Sequence, residues 1–251
     1  MNKILTLLAV CFLSFELNAN QLEDFIKDAE YETVKISPDG KHLAVKTTYD
    51  GYKVLAFLDF DTKKLQYLLR LSKKRNVGSF YWMNNERVVL DVTYSYGPLD
   101  QEYLDGNLYA VNFDGSKGKY IFGSLTSRDK ISKNSRALIS GTPRIISTLK
   151  NDDKYIYVSV SPWRRNTGQL PRPAELIRID AYNGKQKHIM RSPGRGDGFI
   201  LDNNDEIRFA YSVKGFDKNE VFYREPDGEW EVFKSVVESE NIEIHGFNAK
   251  K

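Results

Sequence analysis

From residue 31 onward, apolar and polar residues mostly alternate in short runs rich in Val, Ile, Tyr and Phe, separated by clusters of Asn, Asp, Gly, Pro and Ser. A period of two places successive side chains on opposite faces of a pleated strand, so the pattern predicts β-strands joined by tight turns. Helical spacing stands out in one place, residues 21–29, where Leu22, Phe25 and Ile26 share a face. That segment is expected to be a short helical lead-in, within residues 20–30, to the first strand.

The strands recur as a unit. Ile36-Ser37-Pro38-Asp39-Gly40-Lys41-His42-Leu43-Ala44-Val45 reads as strand, polar turn and strand, and three counterparts follow: residues 82–90 around Asn84-Asn85, 150–158 around Asp152-Asp153, and 201–209 around Asn203-Asn204. Each is followed by a second hairpin, turning at Asp61-Thr62, Asp114-Gly115, Asn183-Gly184 and Asp227-Gly228. These residue types suit turns because Asp and Asn bond their own backbone and, with Gly, tolerate left-handed dihedrals. The second turns lie 53, 69 and 44 residues apart, near the period of about 40 to 50 residues of four-stranded propeller blades.

The expected fold is therefore all-β: a β-propeller of about four four-stranded blades, near 31–71, 77–124, 143–193 and 198–235. Residues 241–251 alternate like residues 32–41 and are expected to be the first strand of a fifth blade, leaving an incomplete ring with two uncovered blade faces. Residues 124–142 read as an inter-blade loop, and 94–105 as a smaller insertion within the second blade. A β-sandwich also has many short strands, but the recurring turn chemistry favours the propeller.

The turn Ser37-Pro38-Asp39-Gly40-Lys41 followed by Leu43-Ala44-Val45, together with Asn112-Phe113-Asp114-Gly115, resembles the amino-terminal propeller of the prolyl oligopeptidase family of serine peptidases. The resemblance runs from about residue 31 to the carboxyl end and is nearest to exported bacterial acylaminoacyl or dipeptidyl peptidases. In those proteins a signal peptide and propeller precede an α/β-hydrolase domain, which carries a Ser-Asp-His set with its serine in Gly-x-Ser-x-Gly. Here none of the 17 glycines is followed two positions later by serine, so the strained elbow that exposes such a nucleophile is missing. The resemblance thus implies a non-catalytic segment that gates access and selects peptide substrates beside an α/β-hydrolase domain. TolB-like propellers share the same turn, so a stand-alone periplasmic binding or scaffold propeller is the alternative.

Other residues add little chemistry. His42, His188 and His245 have no second imidazole at ligand spacing, so no metal or cofactor is expected. Asp39, Asp61, Asp114 and Asp227 are expected to serve their turns. Gly194-Arg195-Gly196-Asp197-Gly198 runs into a strand, not a helix, and reads as a flexible inter-blade connection. The best contact candidates are Trp163, Arg164, Arg165 and Arg172, because loop aromatics and arginines are enriched where partners bind. The bland alternative is a tryptophan packed on its own blade beside solvated arginines.

Composition and the amino terminus set the remaining limits. Lys plus Arg total 37 against 34 Asp plus Glu, interleaved without long blocks, so no nucleic-acid footprint stands out. Lys3, the apolar run from Ile4 to Phe15 and Leu17-Asn18-Ala19 form a signal-peptide pattern over residues 1–19, predicting cleavage after Ala19 and a periplasmic or secreted product. The apolar run is shorter than the ~20 residues that a membrane span needs, and no later run reaches that length. Cys11, the sole cysteine, lies inside it, and a lipoprotein reading there is weakened by bulky Val10.

Overall fold

The computed structural model describes residues 31–72, 74–96, 101–126, 140–163, 172–196, 198–214, 218–233, 244 and 247. The signal segment, the expected helix at 21–29, Arg164, Arg165, His245 and most of 241–251 lie outside these residues.

Among the described residues, sixteen strands form four antiparallel four-stranded meanders. Blade 1 contains β1 (Tyr31–Ile36), β2 (His42–Tyr49), β3 (Tyr52–Asp59) and β4 (Leu65–Leu69). Blade 2 contains β5 (Asn76–Trp82), β6 (Arg87–Tyr96), β7 (Gln101–Asn112) and β8 (Lys119–Phe122). Blade 3 contains β9 (Gly141–Ser147), β10 (Tyr155–Pro162), β11 (Glu175–Asp180) and β12 (Gln186–Arg191). Blade 4 contains β13 (Gly198–Leu201), β14 (Ile207–Lys214), β15 (Lys218–Tyr223) and β16 (Glu231–Val232).

The turns form where the side chains can satisfy their backbone. In blade 1 the Asp39 carboxylate accepts from Ser37 Oγ at 2.6 Å and from Lys41 N at 3.2 Å, while Ser37 Oγ accepts from His42 N at 3.0 Å. Asn84, Asp152 and Asp202 Oδ1 each accept two backbone N–H groups at the corresponding turns. In the second hairpins of blades 1 and 3 the capping carboxylate ends the third strand: Asp59 accepts from Thr62 N at 2.8 Å, and Asp180 from Tyr182 N at 2.9 Å. Gly115, Gly184 and Asp227 take the left-handed conformation there, with φ of 82°, 76° and 57°.

One sheet cannot bury both faces, so the blades stack and the core lies between them. Leu55, Phe57 and Leu69 of blade 1 meet Phe80, Val88 and Leu90 of blade 2. Val89, Leu108 and Ile121 of blade 2 meet Ile156, Val158 and Ile177 of blade 3, and Leu176 of blade 3 meets Phe199 and Ala210 of blade 4. Among the described residues no core cluster joins blade 4 to blade 1. Phe80 and Trp82 pack on blade 1, yet Val34 and Ile36, which occupy the same strand positions in β1, are 54% and 48% exposed. On the far side of blade 4, Phe209 lies 5.7 Å from Phe247, and Ile244 N donates to the Tyr211 hydroxyl at 2.8 Å.

Side chains at the turns also tie neighbouring blades. The His42 ring stacks on Phe113 of blade 2 at 3.9 Å. The fully buried Arg87 donates to Ala181 O of blade 3 at 2.7 and 3.0 Å and to Asn112 Oδ1 at 2.8 Å, with its guanidinium 4.5 Å over Tyr182.

One expectation gains detail and another needs correction. The insertion at 94–105 is largely strand: β6 runs to Tyr96 and β7 starts at Gln101, with Tyr94 paired to Tyr103 and their rings stacked at 5.8 Å. Cross-strand aromatic pairing lets the hairpin extend beyond the blade. The connection at 194–198 is also held rather than flexible: Ala174 N donates to Gly196 O at 3.0 Å, and Gly196 bridges Pro173. Gly194 is packed so tightly that a Cβ there would lie 2.1 Å from Ser212 Oγ.

Candidate functional site

Antiparallel order gives every blade two different ends. One end carries the capped turns described above. At the other, β1, β5, β9 and β13 begin, and the hairpins joining β2 to β3 and β6 to β7 project. This second end is aromatic and charged. Tyr31, Tyr49, Tyr96 and Trp163 are exposed, Tyr96 by 75%, an unusual concentration of large apolar side chains for a solvated rim. Between them Lys46 pairs with Glu32 at 3.1 Å and with Glu102 of blade 2 at 3.6 Å, while Arg75 Nε donates to Asp105 Oδ2 at 2.7 Å. Burial pushes the Glu32 carboxyl up, but hydrogen bonds and charge from Lys53 and Lys46 prevail and hold it below its ordinary range.

Trp163 follows β10 at this end. Its backbone N donates to Ser140 O at 3.0 Å and its Nε1 donates to Thr142 Oγ1 at 2.9 Å. The ring lies over Gly106 of blade 2, where a Cβ would come within 2.6 Å of it, yet the residue stays 54% exposed. The side chain is thus both packed across the joint of blades 2 and 3 and presented to solvent. Arg172 is exposed and its carbonyl accepts from Gly196 N at 3.5 Å. Trp163 and Arg172 flank residues 164–171, which contain Arg164 and Arg165.

The first strands of blades 1 and 2 adjoin one another, and β13 adjoins β9. Lys35 Nζ of β1 donates to Phe80 O of β5 at 2.6 Å and sits 4.3 Å over the Tyr81 ring, while Trp82 Nε1 donates back to Lys35 O at 3.1 Å. These strands form the inner wall, as the first strands of radial blades do around a central channel. Ser79 and Arg144 on β5 and β9 are exposed. Behind them Asp91 of β6 has its Oδ1 buried without a hydrogen-bond partner. Burial lifts its carboxyl from 3.8 to about 6, opposed by the charge of Arg144. Burial and the Asp91 charge also raise the Tyr81 phenol, and burial lowers the Lys35 ammonium.

The remaining polar clusters are ties within or between sheets. Glu175 on β11 holds His188 Nε2 at 2.7 Å and Arg191 Nε at 2.8 Å on β12. No group of three or more His, Cys, Asp or Glu among the described residues is placed to hold a metal ion. No described helix is long and apolar enough to cross a membrane.

Sequence reasoning missed the inner-wall group. Asp91 was visible as a lone carboxylate in Val88-Val89-Leu90-Asp91-Val92, where both strand faces are apolar. Lys35, Tyr81 and Arg144 gave no such signal, since each follows the ordinary alternation.

No protein-family model and no curated protein matches the sequence. Solved structures do match the fold. The β-propeller domain of the Trilobed protease from Pyrococcus furiosus, described as having an open velcro topology, aligns with a TM-score of 0.50 at 14% identity, covering 83% of this chain and 59% of that one. An acylaminoacyl peptidase in complex with Z-Gly-Gly-Phe-chloromethyl ketone aligns with a TM-score of 0.50 at 14% identity over 83% of this chain. The acylaminoacyl peptidase of Pyrococcus horikoshii gives 0.48 at 15% identity over 82%. This chain spans 32% of the length of each of the two acylaminoacyl peptidases. The likeness establishes a β-propeller fold.

Proposed function

We propose that this propeller is the non-catalytic part of an exported serine peptidase of the prolyl oligopeptidase type, admitting and selecting peptides for an α/β-hydrolase domain. The observation that carries the reading is the asymmetry of its two ends. Capped turns gather at one, whereas Tyr31, Tyr49, Tyr96 and Trp163 are exposed at the other. An aromatic and arginine-bearing rim suits contact with a peptide or with another domain, because such side chains combine large apolar area with directional hydrogen bonds. Trp163, Arg164, Arg165 and Arg172 are assigned to that contact.

The same reading assigns residues 1–19 to an export signal, cleaved after Ala19, and residues 20–30 to a lead-in. It assigns 241–251 to the opening strand of a further blade, supported by Ile244 and Phe247 lying on blade 4. Chemistry is left to the partner domain, since the chain has no Gly-x-Ser-x-Gly elbow.

The test is an assay of the purified mature chain against aminoacyl and peptidyl anilides and esters. No turnover is expected. Turnover that disappears on replacing one serine would refute the non-catalytic assignment.

A further inference from the structure

The hairpin that joins β6 to β7 leaves blade 2 as a two-stranded ribbon, and its two faces differ. The register pairs Tyr94 with Tyr103, Ser95 with Glu102 and Tyr96 with Gln101, so alternation puts Ser95 and Glu102 on one face and the three tyrosines with Gln101 on the other. The first face is anchored. Ser95 Oγ accepts from Asn76 Nδ2 at 2.9 Å, Glu102 Oε2 meets Lys46 of blade 1 at 3.6 Å, and Glu102 Oε1 is buried. The second face is open: Tyr94, Tyr96 and Tyr103 are 39%, 75% and 41% exposed, and Gln101 is exposed beside them. The Tyr94 and Tyr103 rings lie 5.8 Å apart with their planes at 30°, and the Tyr103 hydroxyl donates to Gln101 Oε1 at 2.8 Å. These four uncharged side chains form an aromatic platform whose backing is fixed to the rest of the protein.

We propose that this platform binds carbohydrate, with the flat rings of an extended β-1,4-linked chain laid across Tyr94, Tyr103 and Tyr96. The C–H bonds on a sugar face carry partial positive charge and meet the negative face of an aromatic ring, while the hydroxyls at the sugar edge need neutral donors and acceptors. The tyrosine hydroxyls and the Gln101 amide offer both. Residues two apart on a strand are separated by ~6.8 Å, the scale of one sugar ring, so Tyr96 continues the surface that Tyr94 and Tyr103 begin. Other occupants fit less well. A polyproline helix docks into grooves between aromatic rings, and here the cross-strand contact of Tyr94 with Tyr103 closes that gap. An anionic membrane surface attracts Lys and Arg, whereas residues 94–103 carry Asp100 and Glu102 and no basic residue. The sugar site goes beyond the peptide reading and does not depend on it.

The experiment is calorimetric titration of the mature chain with chitohexaose and cellohexaose, and separately with Ac-Pro-Pro-Pro-Pro-NH2 and with vesicles of equal parts phosphatidylglycerol and phosphatidylcholine. At least one hexasaccharide should bind, with the same affinity at low and high salt, because no charge pair forms for salt to screen. Tyr96→Ala should weaken that binding about tenfold through the loss of one stacked ring, whereas Tyr96→Phe should retain most of it. Tyr96 is the most exposed of the three tyrosines, so its truncation leaves the blade core intact, and rescue by Phe separates lost stacking from lost structure. Binding of neither hexasaccharide, or binding that Tyr96→Ala leaves unchanged, would overturn the site. Binding of the proline peptide or of the vesicles without either sugar would overturn it in favour of that partner. None of these results bears on turnover of peptidyl substrates, so failure of the sugar site and failure of the non-catalytic peptidase reading are told apart.

Discussion

Replacing Asp91 by Asn should stabilise the protein near neutral pH, and the size of the effect follows from the burial of this carboxyl. The folded environment raises its pKa from 3.8 to about 6. A group whose folded pKa is raised contributes stability that is present below the unfolded value and lost as pH rises through the folded one. Above about pH 7 the wild type therefore carries the penalty of an ionised buried carboxylate, about 3 kcal/mol at ~1.4 kcal/mol per pKa unit. The amide is neutral at every pH and escapes this penalty, although its NH2 must find an acceptor beside Arg144. A net gain of about 1 to 3 kcal/mol near pH 7.5 is expected, shrinking by roughly 2 kcal/mol at about pH 4.5, where folded Asp91 is protonated. Urea unfolding of both proteins at the two pH values measures the difference directly. A difference that stays constant with pH, or an Asn variant less stable near pH 7.5, would refute the reasoning.

Other substitutions probe the blade joints and the rim. Arg87→Met should cost roughly 3 to 5 kcal/mol in urea unfolding, because Ala181 O, Lys117 O and Asn112 Oδ1 lose their buried donor. Arg87→Lys should recover little of this, since a point donor cannot reach all three. Gly106→Ala should lower stability by about 1 to 3 kcal/mol, combining a φ of +83° with a Cβ 2.6 Å from the Trp163 ring, and it should blue- or red-shift Trp163 fluorescence by moving the ring. Mass spectrometry of the exported protein should find Asn20 as the first residue, whereas an intact Met1 on cytoplasmic protein would remove the export assignment.

Much of the fold was legible because its cause is local. A carboxylate or amide three residues before a strand satisfies the turn backbone on its own, so Asp39, Asn84 and Asp152 mark their hairpins whatever surrounds them. The blade joints were not legible. His42 on Phe113 and Arg87 on Tyr182 join residues 71 and 95 positions apart, and only the stacking of sheets brings them together. The same holds for Trp163: its exposure could be foreseen from a Pro- and Arg-rich loop, but its seat on Gly106 depends on blade 2. The run at 194–198 misled because glycine-rich sequence suggests freedom, whereas here it lets two backbone segments approach closely.

The central claim, that the aromatic end of this propeller receives peptides, is tested most directly by one titration. Unlabelled peptides of mixed sequence are added to the mature chain while backbone and indole N–H signals are followed by NMR, with Trp163→Phe identifying the Trp163 resonance. The account predicts saturable shifts of the Trp163 indole and of residues on the inner strands, with the capped-turn end unmoved. Shifts confined to the capped-turn end, or none at millimolar peptide, would contradict it.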